Sequence, residues 1–258
     1  MSRGTVLVTG ASSGIGAALA KQFANNDYDL VMTARRELNL EQLKDSIDTG
    51  NNIEIVKCDL SQTGGVSALT RAIEDRGIEI DILVNNAGIA ASENFDQLDE
   101  AEIDNLLSLN ILALTRLTRH YLPIMIRNGN GRILNVASVA AFQPVPSMSL
   151  YAASKAFVLS LTESLSEELR GTGVSVTALC PGLTKTEMVS QLQAQEVPPF
   201  LMSSTEQVAK EGFDALMAKE VIRIPGMANQ AAVTWAQHQP RWLIRGLGGF
   251  FSKFNPSR

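Results

Sequence analysis

The sequence predicts an α/β fold, a doubly wound, mainly parallel sheet of seven strands with helices on both faces. Three observations predict it. Short β-branched apolar runs alternate with longer helix-like stretches along the chain. Those runs are continuous rather than alternating in polarity, as strands covered on both faces are. No Pro/Ser linker or low-complexity tract divides the 258 residues, and a composition 45% hydrophobic and 19% charged suffices for one large core.

In order, "TVLVTG" (5–10) is the first strand, followed by the helix "IGAALAKQFANN" (15–26). "DLVMTA" (29–34) pairs with "NLEQLKDSID" (39–48), and "IEIVKC" (53–58) with "GVSALTRAIEDR" (65–76). "DILVNN" (81–86) leads into a long helical segment over 99–128, and "GRILNVAS" (131–138) into another over 150–170. "VSVTALCP" (174–181) precedes a helix over 205–219, and "EVIRIPG" (220–226) closes the sheet. Strand–helix–strand repetition requires right-handed crossovers. One domain is expected over 1–226, with a lid at about 183–204. Residues 227–258 form a basic, apolar extension packed on that domain or on a partner subunit.

Net charge is −5, which argues against a nucleic-acid partner. Residues 221–258 hold Arg223, Arg241, Arg245, Lys253 and Arg258 with no acid, so this stretch carries +5 and the rest −10. Cys58 and Cys180 sit in apolar runs without metal-ligand spacing, as reduced core cysteines of a cytoplasmic protein would, and no metal is expected. "MSRG" runs straight into the first strand with no signal-type pattern, and no apolar run nears the ~18 residues of a membrane span.

"VTGASSGIGAALA" follows the first strand and opens the first helix. Gly10 permits the strand-to-helix turn, Gly14 lets the backbone approach a pyrophosphate, and Gly16 allows close helix packing. The helix N-terminus adds free N–H groups and positive dipole. This is a dinucleotide loop in its required place. The second strand ends "VMTARRE", with Ala34 where an NAD site usually has an acid, then Arg35 and Arg36. A guanidinium fork holds a 2′-phosphate that an acid would repel, so NADP(H) is favoured over NAD(H). Arg35, nearer the strand end, is the better ligand candidate. Gly10, Asn86, Ser138 and Pro181 all fall at carboxyl ends of strands, where open α/β sheets bind ligands. Acting as helix caps would explain any one of them, but poorly all four.

"YAASK" places Tyr151 and Lys155 on one helical face. Together "TGASSGIG" (9–16), "NNAG" (85–88), Asn110, Ser138, "YAASK" and "PG" (181–182) resemble the short-chain dehydrogenase/reductase family over about residues 4–226. "ARR" and "PG-x-T-x-T-E" are similar to a group of bacterial NADP-type reductases in it. The resemblance implies a Rossmann-type fold and an oxidoreductase that interconverts a carbonyl and an alcohol. It makes Tyr151 the general acid/base and Lys155 its electrostatic partner and ribose ligand. Ser138 would hold the substrate oxygen, and Asn110 would anchor a water in a proton relay. Asp59 would contact adenine, with Leu60 beside it, and Asn86, Ala87 and Gly88 would line the ribose. Ser12, Ser13 and Ile15 would join the glycines at the cofactor, with Pro181, Gly182, Thr184 and Thr186 at its nicotinamide amide or pyrophosphate. The resemblance also implies a homodimer or homotetramer built through the 99–128 and 150–170 helices.

That chemistry needs a proton donor matched to neutral pH, and a free tyrosine titrates near ~10. A nearby ammonium and a positively charged nicotinamide both favour the phenolate. Val139, Phe142, Val145 and Met148 after the serine, and Met188, Leu192, Val197, Phe200, Leu201 and Met202 in "EMVSQLQAQEVPPFLM" (187–202), suggest an apolar or acyl-bearing carbonyl substrate. These residues could equally pack the lid onto the body. The tail's Trp242, Leu243, Ile244, Leu247, Phe250, Phe251 and Phe254 among basic residues fit packing on the acidic body or a sister subunit better than a peripheral membrane contact, because Gly246, Gly248 and Gly249 interrupt an amphipathic helix. Two alternatives stand beside the oxidoreductase: a catalytically silent, NADP(H)-sensing regulator, and a nucleotide-sugar epimerase or dehydratase. The intact Asn110–Ser138–Tyr151–Lys155 set opposes the first. The glycine spacing and short C-terminal part oppose the second.

Overall fold

The structure, a computed structural model, describes residues 2–186 and 202–246. Seven strands form one sheet in the order β3-β2-β1-β4-β5-β6-β7, every neighbouring pair parallel. They are β1 (Thr5–Thr9), β2 (Asp29–Ala34), β3 (Ile53–Lys57), β4 (Ile82–Asn85), β5 (Gly131–Val136), β6 (Val174–Leu179) and β7 (Ile222–Arg223). The expected doubly wound sheet is present. Its last strand is shorter than "EVIRIPG", because Pro225 lacks a donor to continue the ladder.

The helices are α1 (Gly14–Ala24), α2 (Glu37–Asp45), α3 (Gly65–Glu74), α4 (Glu100–Leu107), α5 (Leu114–Asn128), α6 (Ser149–Glu168), α7 (Thr205–Met217) and α8 (Met227–Gln237). One face of the sheet buries Val6, Val8 and Met32 under α1, α2 and α7. Phe23, Tyr28 and Phe213 meet edge-to-face there, with centroids 5.2–6.4 Å apart. The other face buries Leu7, Val31, Leu83 and Ile133 under Leu69, Ile73, Leu117, Tyr121, Met125 and Leu165 of α3, α5 and α6. Burying both faces explains why the strand runs are continuously apolar.

The 99–128 segment is not one regular helix. Residues Ser108–Ala113 form a π-helical turn between α4 and α5. An extra residue per turn shifts the helix's register and turns a different side chain inward. Asn110, 2% exposed, lies inside that turn.

β1 and β4 lie side by side at mid-sheet, Val8 opposite Val84. The chain leaves β1 toward β2 and β3 on one side and leaves β4 toward β5–β7 on the other. The connections therefore diverge above the carboxyl ends of β1 and β4 and leave a crevice there. The described part of the C-terminal extension packs on the same body, with α8 against the 139–142 turn and Val233 and Ile244 buried. Leu247, Phe250, Phe251, Lys253, Phe254 and Arg258 lie outside the described residues. No described helix is long and apolar enough to cross a membrane.

Candidate active site

A cavity of about 540 Å³ opens over the carboxyl edge of the sheet. At one wall is the turn from β1 into α1, with Gly10, Ser12, Ser13, Gly14, Ile15 and Gly16. Gly10 has φ +66°, and a Cβ on it would come 2.8 Å from Ala87 Cα. A Cβ on Gly16 would collide with the Gly10 carbonyl and the Asn86 carboxamide, so this glycine serves the loop's own closure. Ser13 precedes α1 in an extended conformation, but its side chain caps nothing. The first-turn N–H groups of α1 thus keep their donors and positive dipole toward the cavity. This cradle fits a pyrophosphate.

The turn after β4 is tied to that cradle. Thr9 Oγ1 accepts the N–H groups of Asn86 and Ala87, both at 3.0 Å, and donates to the Val84 carbonyl. Asn86 Nδ2 donates to the carbonyls of Thr9 and Gly10 at 2.9 and 3.2 Å. Sequence reasoning missed Thr9, whose one signal was its place before Gly10. It also missed Asn85, which points away from the cavity. Asn85 Nδ2 donates to Thr118 Oγ1 and Asn135 Oδ1, and Asn135 donates on to Thr162 Oγ1. That buried chain fastens α5 and α6 to the sheet.

At one end Arg35, Arg36, Asp59 and Leu60 line the cavity. Burial works to raise the Asp59 carboxyl, but the Ser61 hydroxyl (2.7 Å) and amide (3.0 Å) and the Arg35 guanidinium outweigh it and hold the group below its ordinary value. Arg36 Nη2 reaches Ser13 Oγ at 2.8 Å and Ser12 Oγ at 3.4 Å. The two arginines therefore reach opposite walls: Arg35 toward Asp59, Arg36 toward the glycine loop.

At the other end Ser138, Tyr151 and Lys155 line the cavity with Asn86, Ala87 and Gly88. Ser138 caps the 139–142 turn by accepting the Ala140 N–H at 3.1 Å, which leaves its hydroxyl proton for another partner. Lys155, 6% exposed, donates to the Val136 carbonyl at 2.9 Å, and its Nζ lies 5.7 Å from the Tyr151 ring centroid. Burial depresses the lysine to about 8, opposed by the nearby Cys180. Burial also raises the Tyr151 phenol, and the adjacent Ser138 side chain pulls it partly back. The ammonium was expected to lower the phenol. In the structure burial outweighs the Ser138 contact, so the phenol stands above its ordinary value. Cys180, fully buried, has its thiol pushed up to about 12, and burial also raises Cys58. Neither is poised as a nucleophile.

Asn110 does not line the cavity. Its Oδ1 accepts the Ile89 N–H, and its Nδ2 donates to the Ile89 carbonyl and to Ser154 Oγ, at 2.9, 2.9 and 3.1 Å. Ser154 Oγ donates to the Tyr151 carbonyl at 2.7 Å. The asparagine thereby couples the turn after β4 to the helix that carries the tyrosine.

Pro181, Gly182, Thr184 and Thr186 form the remaining wall. Of the proposed apolar substrate-side residues, Val139, Phe142, Val145 and Met148 are half-buried and do not line this cavity. Phe142 instead packs with Ala137, Val158 and Cys180. Met188, Leu192, Val197, Phe200 and Leu201 lie outside the described residues, as does most of the expected lid. Among the described residues no group of His, Cys, Asp and Glu could hold a metal.

The family model for short chain dehydrogenase matches residues 4–197. "Ketoacyl reductase HetN" of Nostoc sp. (strain PCC 7120) is 38% identical over 217 residues, spanning 83% of this chain and 76% of that protein. Among solved structures, a short-chain dehydrogenase from Sphingobium yanoikuyae in complex with NADPH aligns with a TM-score of 0.82 at 33% identity, covering 99% of this chain and 98% of that one. A short-chain dehydrogenase/reductase from Burkholderia phymatum in complex with NAD aligns with a TM-score of 0.82 at 27% identity, covering 90% and 92%.

Proposed function

The chain belongs to the short-chain dehydrogenase family, and from that premise we propose that it is an NADP(H)-dependent oxidoreductase that interconverts a ketone or aldehyde and an alcohol on an apolar or acyl-bearing small molecule. One observation carries the reading: Ser138, Tyr151 and Lys155 line the same cavity as an uncapped glycine-loop helix. A silent nucleotide sensor would have no need of all three.

The α1 N-terminus would hold the pyrophosphate, Asp59 the adenine and Asn86–Gly88 the ribose. Arg35 and Arg36, with the Ser12 and Ser13 hydroxyls that Arg36 already holds, take the 2′-phosphate. Leu60 and Ile15 supply apolar walls, and Thr184 and Thr186 serve the far end with Pro181 and Gly182. Bound nicotinamide supplies or takes the hydride. Ser138, whose hydroxyl also acts on the Tyr151 phenol, donates its proton to the substrate oxygen. In the reducing direction the Tyr151 phenol, kept protonated by burial, gives its proton to that oxygen as the carbon gains the hydride. Lys155 holds the ribose through protons not spent on Val136 and stabilises the phenolate left behind. Asn110, whose carboxamide is held by Ile89 and Ser154, anchors a relay water. The preference for NADP(H) rests on the paired arginines and on Ala34 at the end of β2, where an NAD site usually has an acid, and is supported by the NADPH-bound relative, while the NAD-bound one stands against it. The acyl-bearing substrate class is in keeping with the ketoacyl reductase relative.

Two variants test the reading. Tyr151→Phe is expected to cut turnover of ketones and aldehydes by about 10²–10⁴-fold while NADPH still binds. Wild-type-like turnover in that variant would end the assignment. Arg35→Ala is expected to lose a charge-assisted contact of about 1.5–3 kcal/mol, on the order of tenfold to a hundredfold in NADPH affinity, with NADH nearly unaffected. Equal losses for both nucleotides would mean that Arg35 does not read the phosphate.

A further inference from the structure

The C-terminal extension meets the cofactor wall at one point. Gly182 has no side chain, and a Cβ built on it would lie 2.6 Å from Asn229 Nδ2, 2.7 Å from Oδ1 and 2.8 Å from Cγ. The carboxamide of Asn229, in the first turn of α8, therefore lies flat on the Gly182 backbone. Gly182 is not among the residues with positive φ, so space alone, not backbone strain, demands a glycine there.

Both sides of this contact are held. Asn229 Nδ2 donates to the Pro225 carbonyl at 2.9 Å, fixing the carboxamide's orientation. The chain entering α8 is anchored from α7, where Glu211 Oε2 accepts from Arg223 at 3.0 and 3.1 Å and from the Gly226 N–H at 3.4 Å. On the cavity side, Ser203 N–H donates to the Leu183 carbonyl at 2.9 Å and Lys185 N–H to the Ser203 carbonyl at 3.1 Å. These two bonds pair Thr184 with Ser203 one residue pair beyond Gly182. Thr184 is 3% exposed and lines the cavity with Thr186. The wall over the cavity thus hangs from a short bridged stem whose base rests on one side chain of the extension.

We propose that Asn229 is a positioning residue for nucleotide binding: packed on Gly182, it sets how far the 181–186 wall stands from the cavity. The proposal rests on the reading above for what the cavity binds. The added methyl of Gly182→Ala must displace Asn229 or push the wall inward. The bond from the carboxamide to Pro225 resists its displacement and so transmits part of the push to the wall.

The test measures NADPH dissociation constants, nucleotide KM, kcat and Tm for the full chain and three variants: Gly182→Ala, Asn229→Ala, and Gly182→Ala with Asn229→Gly. Gly182→Ala is expected to weaken NADPH tenfold or more with a matching rise in nucleotide KM. Asn229→Ala, which frees the wall without a clash, is expected to weaken it three- to tenfold at nearly constant Tm. The double variant vacates the space the methyl needs and is expected to return to within threefold of the wild type. If Gly182→Ala and Asn229→Ala both bind NADPH like the wild type, the proposal is wrong. It is also wrong if the double variant stays as weak as Gly182→Ala, since the methyl would then be meeting the nucleotide itself. Should Gly182→Ala fail to fold, Asn229→Ala decides alone: unchanged affinity overturns the proposal, and weakened affinity with intact Tm supports it. A wild-type chain that binds neither NADPH nor NADH would instead defeat the functional reading.

Discussion

At the scale of single residues, the site holds its two key proton-carrying groups in opposite ways. Burial pushes the Tyr151 phenol up and the Lys155 ammonium down, so each is driven toward its neutral form. For a reductase the first effect helps, because the phenol must arrive protonated. The second opposes function and should be relieved by the ligand. With Lys155 at about 8 in the free protein, most chains carry the charge at pH 7 and most have lost it at pH 8.5. An anionic dinucleotide favours the charged lysine, so binding raises that value and draws in a proton. Titration of NADPH at pH 8.5 is therefore expected to give heats that differ between Tris and phosphate buffers, in the sense of proton uptake. At pH 6.5, where the lysine is already charged, that proton uptake disappears, and any remaining buffer dependence has the sense of proton release from the 2′-phosphate. Identical heats in both buffers at pH 8.5 would mean that the lysine keeps one protonation state throughout.

At the scale of elements, what was legible in the sequence was whatever repeats or punctuates. The alternation of apolar runs and amphipathic stretches was enough for seven strands in one parallel sheet, and Gly10 with its φ of +66° marked the turn where a side chain could not fit. The π-helical turn was not legible. "NLLSLNILALT" has an apolar pattern that a regular helix satisfies equally well, and the extra residue declares itself only when Asn110 must face Ile89 and Ser154 at once. The Asn110 side chain fastens the turn after β4 to α6. The same limit hid Thr9, Asn85 and Asn229. Each acts through a tertiary partner far along the chain, and local spacing carries no trace of such partners. Of the apolar side chains after Ser138, Phe142 packs on the core beneath with Val158 and Cys180, a tertiary contact that local spacing does not reveal.

At the scale of the whole molecule, the buried faces of the sheet are complete, but apolar side chains stay exposed on the outer faces of α2 and α8 and of the π turn, α5 and α6. Leu112 on the π turn, Ile126 on α5 and Phe157 on α6 are 45%, 40% and 39% exposed. Singly exposed apolar residues need no explanation, yet these three lie on the 99–128 and 150–170 segments through which a homodimer or homotetramer is expected. Those segments also carry Asn110 and Tyr151, so an assembly through them would brace the site from behind. Phe157 is the place to test this. Its neighbour Val158 is fully buried, whereas Phe157 faces outward and can accept a charge without disturbing the core. Phe157→Glu is expected to lower the mass measured by light scattering toward that of a single 27.8 kDa chain, with secondary structure unchanged by circular dichroism. Turnover should fall with the loss of assembly and recover in part at high protein concentration. A wild-type chain already monomeric at tens of micromolar, or a variant with unchanged mass, would remove these helices from any interface and leave Leu112, Ile126 and Phe157 as ordinary exposed side chains.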